Sequence, residues 1–242
     1  MDWFSVDKEG LSRLLERRGK HVAIFELIQN AWDEQACRVT VTLVPVPHSP
    51  YARLTVEDDN PDGFADLSHA FTLFADSGKK VNPQQRGRFN IGEKLVLALC
   101  REASISSTKG TVSFEADGTR RRKRIQRECG TVFNGVLRMT RDEYAQTCQA
   151  VRTLIPPQGV ETTFNGEVLV SRQPVDEFQA TLETEIADAE GYLRRTRRRT
   201  TVRVYEPLAG EMPSLYELGI PVVETDDRYH YEVMQKVPLN VT

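Results

Sequence analysis

Three polar residues in a largely apolar segment between residues 20 and 36 have the spacing of one helical face. Glu26, Asn30 and Asp33 are separated by four and then three residues. Because each helical residue turns by about 100°, their side chains share one face. A carboxylate and a carboxamide one turn apart on an apolar helix need polar partners. Either a bound ligand or a polar network within the protein would supply them.

An acidic turn follows the second strand-like segment. Its sequence is Asp59-Asn-Pro-Asp-Gly63. Such a turn can present a carboxylate that accepts a hydrogen bond from an exocyclic amine of a ligand. An ordinary Asx-turn that ends a strand has the same composition, so this segment is not specific by itself.

A glycine-containing loop that opens a helix is the third segment of interest. It runs from Ser77-Gly-Lys-Lys80 to Arg86-Gly-Arg-Phe-Asn-Ile-Gly92-Glu-Lys94. Backbone N–H groups and the start of a helix favour anions, and the loop is rich in Lys and Arg. It is neither a Walker A loop nor a G-x-G-x-x-G fingerprint. Alone, it indicates only an anion site.

The elements that must position these segments follow from hydrophobic periodicity and turn residues. Strict alternation predicts a strand over 38–44, and a second, antiparallel strand is expected over 51–57. Helices are predicted over 7–19, 20–36, 65–75, 92–101 and 141–154, with a loop over 76–88. Further strands are predicted over 103–108, 111–115, 131–139 and 201–205, and a hairpin over 160–170. Pro156-Pro157 is the clearest boundary.

Composition limits the class of protein. The net charge is −3 and 39% of residues are hydrophobic, which favours a folded chain and gives no bulk signal for nucleic acid or membrane surfaces. No apolar run reaches the roughly 20 residues of a membrane helix, and the first residues do not form a secretory signal. The four cysteines lack metal-ligand spacing and are expected to be free thiols. A cytoplasmic location is therefore expected.

Taken in order, the three segments resemble the boxes of the GHKL ATPase superfamily, which includes gyrase B subunits, chaperones of the Hsp-ninety type, histidine kinases and MutL. Glu26, Asn30 and Asp33 match the E-x-x-x-N-x-x-D box. Asp59 to Gly63 resembles the D-x-G-x-G box with Pro61 in place of the first glycine. The glycine loop resembles the lid and third box, with Asn90 where a glycine is usual. Gly130-Thr131 resembles the fourth box, so the likeness covers roughly residues 20–140.

The resemblance implies a role for each matching position. Glu26 would be the general base that orients the attacking water, and Asn30 would bind Mg²⁺. Asp59, supported by Thr131, would hydrogen-bond the adenine amino group, and Gly63 would let the backbone approach the base. The remaining residues implied to bind nucleotide are Asp33, Ser77, Lys80, Gly87, Arg88, Phe89, Asn90, Ile91, Gly92 and Lys94.

The fold implied is a two-layer α+β sandwich of the Bergerat type, a mixed and mainly antiparallel sheet covered by helices. We expect residues 1–155 to form the ATP-binding domain and residues 156–242 a smaller α/β unit. The chain ends directly after a strand-like segment, which is compatible with a second unit that is cut short. Histidine kinase activity fits poorly, because Glu26 belongs to the hydrolysing branches and no phospho-acceptor helix pair is evident.

The function implied is Mg²⁺-dependent ATP binding with slow hydrolysis to ADP and phosphate, as a nucleotide-gated switch that dimerises on ATP binding. The alternative is a non-catalytic nucleotide- or nucleic-acid-binding module in which Pro61 and Asn90 have degraded the pocket. The client and the pathway are not indicated.

Three further features concern partners. The segments 161–166, 215–222, 74–80 and 86–90 look similar to the phage rIIA-like branch of the superfamily. Lys236 is a candidate for a second-domain lysine that reaches the γ-phosphate, although a lysine at a strand end is the simpler interpretation. Two basic runs, Arg120–Arg124 and Arg194–Arg199, could contact nucleic-acid phosphates. They also fit a solvated hairpin face balanced by nearby acids.

Overall fold

The computed structural model describes residues 8–16, 19–34, 36–63, 67–70, 92–187 and 193–238. These residues fall into two compact units. The first comprises the described residues up to 70 together with residues 92–152 and 159–168. The second comprises residues 153–158 and the described residues from 169 onward. The functional domain boundary expected at Pro156-Pro157 stays a prediction.

Within the described residues, the first unit contains one sheet and four α-helices. The helices are α1 (Lys8–Glu16), α2 (Lys20–Asp33), α3 (Gly92–Leu99) and α4 (Arg141–Arg152), and a 3₁₀ turn spans Leu67–Ala70. The strands are β1 (Arg38–Pro45), β2 (Tyr51–Asp58), β3 (Cys100–Ser107), β4 (Gly110–Phe114), β5 (Arg120–Lys123), β6 (Val132–Arg138), β7 (Glu161–Phe164) and β8 (Glu167–Val168). Their order in the sheet is β5-β4-β3-β6-β2-β1-β7-β8. Every pairing is antiparallel except that of β1 with β7.

Alternation along the strands puts the apolar side chains on one face of this sheet. Val41 pairs with Val56 and Leu43 with Leu54, and all four side chains are buried. The helices cover this face, since α2 contacts β1 and β2 while α3 contacts β3 and β6. The expected two-layer α+β sandwich with a mainly antiparallel sheet is therefore confirmed.

Most of the elements predicted from the sequence are present, with ends shifted by a few residues. Helix α2 ends at Asp33 rather than Ala36, since Glu34 already has an extended backbone. The hairpin expected after Pro156-Pro157 is β7–β8, and it extends the sheet of the first unit. The predicted loop over 76–88 lies outside the described residues, as does the predicted helix over 65–75 apart from the 3₁₀ turn. None of the helices in the described ranges is long and apolar enough to cross a membrane.

The second unit holds a five-stranded sheet. Its strands are β9 (Asp176–Ala187), β10 (Leu193–Tyr205), β11 (Ser214–Glu217), β12 (Ile220–Glu224) and β13 (His230–Val233), in the order β12-β11-β13-β10-β9. Where the sequence analysis expects an α/β unit, the residues described for this unit include strands and no helix. Strand β9 was not predicted, and β10 begins eight residues earlier than expected because it contains the arginine run.

A buried polar network ties the second unit together. Arg172 makes two hydrogen bonds to the Glu211 carboxylate, at 2.6 and 2.7 Å. His230 accepts the Ser214 backbone N–H at its Nδ1 (3.0 Å), so its Nε2 carries the proton donated to Glu211 (3.1 Å). Burial opposes the charge of Glu211, but these donors and the Leu208 N–H outweigh it and lower the pKa of Glu211. The network therefore pairs the Glu211 carboxylate with hydrogen-bond donors inside the second unit.

Candidate functional site

The polar face of α2 is the first part of the candidate site. Glu26, Asn30 and Asp33 are all half-buried. Ile24 and Ile28, on the opposite side of the helix, are fully buried. The apolar side of α2 therefore packs into the core, and its polar side faces the boundary between core and solvent. The structure confirms the helix that the three residues require, while their roles stay predictions.

Two hydrogen bonds fix the rotation of α2 about its axis. The indole Nε1 of Trp32 donates to Thr162 Oγ1 on β7 at 3.0 Å, and both groups are buried. At the other end of the helix, Lys20 Nζ lies 2.6 Å from the Glu143 carboxylate on α4. Rotation of α2 would break both contacts, and the loss of hydrogen bonds from buried donors is costly. These anchors therefore set the direction in which the polar face points.

The end of β2 and the start of β6 form the second part. Asp58, the last residue of β2, donates its backbone N–H to Thr131 O (3.0 Å), and its Oδ1 accepts the Thr131 N–H (3.2 Å) and the Asn60 N–H (3.0 Å). Gly130 lies against the same turn. Its φ is +73°, and a Cβ there would meet Asp58 O at 2.0 Å. Only glycine fits this approach, which brings the Gly130-Thr131 segment onto the carboxylate.

Asp58 is an acid in a partly desolvated position. Burial raises its pKa, and the negative charges of Glu34 and Asp59 raise it further. The two backbone N–H donors act in the opposite direction, and the net result is a pKa of about 6. Glu34 follows the last residue of α2, so its charge links the end of the helix electrostatically to this turn. A carboxylate with a perturbed pKa and defined donors is typical of binding and catalytic sites.

Asp59, which the sequence analysis singles out instead, lies in a different environment. Its Oδ1 accepts the backbone N–H groups of Cys37 and Arg38, at 2.8 and 2.9 Å. It thereby caps the start of β1. Sequence reasoning missed Asp58, although the alternation of β2 contains the signal: Ala52, Leu54 and Val56 are buried, and Asp58 is next in that series.

Gly63 closes the acidic turn. Its φ is +60°, its N–H donates to Asn60 O (3.1 Å), and a Cβ would meet Thr108 Oγ1 at 2.7 Å. The Gly130 N–H donates to the same Asn60 oxygen (2.8 Å). The structure thus brings Gly63 and Thr131 together around the Asp58–Asn60 turn.

The third part of the predicted site is the phosphate-binding loop and the start of α3. Most of the residues predicted to bind the phosphates lie outside the described residues: Ser77, Lys80, Gly87, Arg88, Phe89, Asn90 and Ile91. Gly92 is the first residue of α3, and Lys94 follows on the same helix without a described side chain. These assignments stay predictions.

Donor chemistry tests whether Mg²⁺ fits here. Mg²⁺ prefers oxygen ligands and usually keeps several waters while it binds one or two protein oxygens and substrate phosphates. The face of α2 offers an amide oxygen from Asn30 between the carboxylates of Glu26 and Asp33. No cage of three or more His, Cys, Asp or Glu side chains occurs among the described residues, and a nucleotide-bridged Mg²⁺ does not need one. The residues fit a cation shared with phosphates.

The fold and this arrangement define a class of protein: a helix-covered sheet with a polar helix face and a half-buried aspartate beside a Gly-Thr pair. Residues 19–133 match the family described as "Histidine kinase-, DNA gyrase B-, and HSP90-like ATPase". This segment therefore belongs to the GHKL ATPase superfamily, as its motifs predicted. The rIIA-like assignment stays a prediction.

A solved structure supports the fold independently. The chain is similar to the ATPase region of Saccharomyces cerevisiae topoisomerase II, determined bound to ICRF-187 (dexrazoxane), with a TM-score of 0.52 at 10% identity. The match covers 83% of this chain and 62% of the topoisomerase chain. At this identity the likeness shows a shared fold. No significant relative was found among curated proteins.

Proposed function

We propose that the chain binds ATP with Mg²⁺ and hydrolyses it slowly to ADP and phosphate, as a nucleotide-gated switch. The observation that carries the proposal is the half-buried Asp58 carboxylate, held by the Thr131 and Asn60 N–H groups at the end of the strand beside α2. Membership of residues 19–133 in an ATP-binding superfamily supports the choice of ligand.

Asp58, rather than Asp59, is the carboxylate we assign to base recognition. Both of its described hydrogen bonds go to Oδ1, so within the described residues Oδ2 is left to accept a donor from the ligand. An ionised carboxylate only accepts hydrogen bonds. It therefore selects a base with an exocyclic amine, such as adenine, over hypoxanthine, which presents a carbonyl at that position. Leaving a charged acceptor unpaired costs about 1.5–3 kcal/mol, which is roughly 10- to 150-fold in affinity.

The polar face of α2 supplies the remaining chemistry. Asn30 would hold Mg²⁺, which neutralises phosphate charge when bound. Glu26, one turn earlier, would accept the proton of the attacking water, and Asp33 would contribute to the nucleotide site toward the end of the helix. Phosphoryl transfer depends on such positioning and charge neutralisation more than on covalent chemistry. ATP-dependent homodimerisation is part of the proposal by analogy with the superfamily.

The test is thermal unfolding of the protein with Mg-ATP, Mg-ITP, Mg-ADP or EDTA. A ligand at about 100 times its dissociation constant adds roughly 2.7 kcal/mol, which raises Tm by roughly 5–10 °C at this chain length. We expect that rise with Mg-ATP, a smaller one with Mg-ITP, and none in Asn30→Ala. Absence of any shift at millimolar Mg-ATP would refute nucleotide binding.

Hydrolysis is tested separately from binding. Glu26→Ala should keep the Mg-ATP shift and lose phosphate release. Normal turnover in this variant would show that Glu26 is not the base. Sedimentation of Glu26→Ala with and without ATP tests dimerisation, because the variant holds ATP without consuming it.

A further inference from the structure

The turn after β2 is organised around one buried residue, Asn60, which is 4% exposed. Its backbone N–H donates to Asp58 Oδ1 at 3.0 Å. Its backbone oxygen accepts the Gly63 N–H at 3.1 Å and the Gly130 N–H at 2.8 Å. The backbone of Asn60 is therefore bonded to the end of β2, to the end of the acidic turn and to the segment that leads into β6.

The segment Asn60-Pro-Asp-Gly63 has the composition of a tight turn. The commonest four-residue turn favours Asn at the first position, Pro at the second and Gly at the fourth. The Asn60 side chain closes the turn further, since its Oδ1 accepts the Asp62 N–H (3.2 Å) and its Nδ2 donates to Gly63 O (3.4 Å). Pro61 disfavours helical backbone for the residue before it. Proline at this position therefore stiffens the turn.

Both described donors to the Asp58 carboxylate depend on Asn60. One donor is the Asn60 N–H itself. The other is the Thr131 N–H, at 3.2 Å, and Thr131 directly follows Gly130, whose N–H is bonded to Asn60 O. Because two donors hold Oδ1, they fix the orientation of the carboxylate and with it the direction of Oδ2.

The same donors act on the charge of the carboxylate. Burial raises the pKa of Asp58, and the negative charges of Glu34 and Asp59 raise it further, while the Asn60 and Thr131 N–H groups lower it. The ionised form is the stronger hydrogen-bond acceptor for an exocyclic amine. Loss of a donor therefore favours the protonated acid, which is the weaker acceptor.

We propose that Asn60 is a positioning residue for base recognition, which orients the Asp58 carboxylate through its own N–H and through Gly130. Its side chain holds the turn in the conformation that makes both contacts, and it need not touch the nucleotide. The inference rests on the proposed recognition of adenine by Asp58. The residues that we assign to Mg²⁺ and phosphates on α2 are not part of this turn. Loss of the Asn60 side chain should therefore weaken discrimination between bases more than it weakens phosphate binding.

The test measures the dissociation constants of Mg-ATP and Mg-ITP at pH 7.5 for the wild-type chain and three variants. Asn60→Ala removes both side-chain hydrogen bonds of the turn. Asn60→Ser restores a hydroxyl that can accept the Asp62 N–H, although more weakly. Asn165→Ala is the matched control, because Asn165 Oδ1 also accepts a backbone N–H, that of Leu43 at 2.8 Å on β1. Urea unfolding measures how much each substitution destabilises the protein.

The ratio of the two dissociation constants gives the decisive result. The wild-type preference for Mg-ATP should be about 10- to 150-fold, as one hydrogen bond to a charged group implies. We expect Asn60→Ala to bring the two affinities to within about threefold, mainly by weakening Mg-ATP, and Asn60→Ser to recover part of the preference. The Asn165→Ala control should lower stability and keep the wild-type ratio. In Asn60→Ala, Mg-ATP binding should also be lost at a higher pH than in the wild-type protein.

A purely structural role for Asn60 would give a different result. The proposal is overturned if a folded Asn60→Ala keeps the wild-type ratio, or if it weakens both nucleotides by the same factor. If Asn60→Ala does not fold, Asn60→Ser decides: a reduced ratio supports the role, and the full wild-type ratio overturns it. A wild-type protein that binds both nucleotides equally, or neither, refutes recognition by Asp58 and this role with it. The wild-type measurement thus separates the two failures.

Discussion

Asp58→Asn should make the ligand-free protein more stable while it abolishes nucleotide binding. The substitution keeps an oxygen that can accept the Asn60 and Thr131 N–H groups. It removes a negative charge that is partly desolvated and lies near the charges of Glu34 and Asp59. It also places amide hydrogens where the ligand's amine needs an acceptor. The substitution should thus increase folding stability and decrease nucleotide affinity. Such opposite effects are expected where a group needed for function destabilises the folded protein.

The magnitude follows from the pKa of Asp58. Folding raises this pKa from 3.8 to about 6, and each unit corresponds to about 1.4 kcal/mol. A raised carboxyl pKa contributes stability at low pH, and that contribution is lost as pH rises through about 6. The ionised group therefore costs the folded state up to about 3 kcal/mol at pH 7.5. Asp58→Asn should recover that amount at pH 7.5 and only about a fifth of it at pH 4.

Urea unfolding at pH 4, 5, 6 and 7.5 measures the difference in unfolding free energy between Asp58→Asn and the wild-type protein. Thermal shifts with Mg-ATP at pH 7.5 report on nucleotide binding. Asp59→Asn is the matched control, because it removes a charge one residue away and keeps the oxygen that accepts from Cys37 and Arg38. We expect the control to bind Mg-ATP. The reasoning is refuted if Asp58→Asn is less stable than the wild-type protein at pH 7.5. It is also refuted if the stability difference does not change with pH.

Two packing predictions accompany it. Gly130→Ala should cost more than about 3 kcal/mol and abolish the Mg-ATP shift, because its Cβ would collide with Asp58 O at 2.0 Å. The control is Gly118→Ala, at a similar φ of +83°, where a Cβ would meet nothing within 4 Å; it should cost only about 1 kcal/mol. If urea unfolding gave equal costs for the two substitutions, the close approach of Gly130 to Asp58 would be contradicted. Thr162→Val should cost about 1–3 kcal/mol, because it removes the buried hydroxyl that accepts the Trp32 N–H. An unchanged unfolding midpoint would argue against this anchor of α2.

The sequence was most informative where one periodicity dominated. Strand β1 alternates strictly and helix α2 carries an apolar face, so both were predicted within a few residues. Strand β9 also alternates, with Phe178, Ala180, Leu182 and Ile186 on one face and Thr184 as the one polar residue between them in that series. It was missed because the polar residues between them resemble a loop and its partner strand was hidden in an arginine run. Whether a weakly alternating segment forms a strand depends on the strand that pairs with it, and a single sequence does not show that partner.

The two arginine runs illustrate the same limit for electrostatics. A run of like charges has a meaning only relative to the residues across the strand. Register puts Glu183 and Glu185 opposite the second run, while β4 puts uncharged residues opposite the first. Loop lengths do not predict this register, so the sequence left both runs equivalent.

The choice between Asp58 and Asp59, in contrast, was available from the sequence. The spacing of the D-x-G-x-G motif, taken back from Gly63, indicates Asp59. The two-residue period of the strand, continued from the buried Leu54 and Val56, indicates Asp58. Side chains two residues apart share a face of a strand, so Asp58 continues the face that the helices cover, and Asp59 leaves the strand to cap β1. A carboxylate at the end of a buried apolar series has a raised pKa because of that position. Parity along the strand is thus a physical criterion that favours Asp58 as the proposed binding aspartate, and motif spacing alone does not supply it.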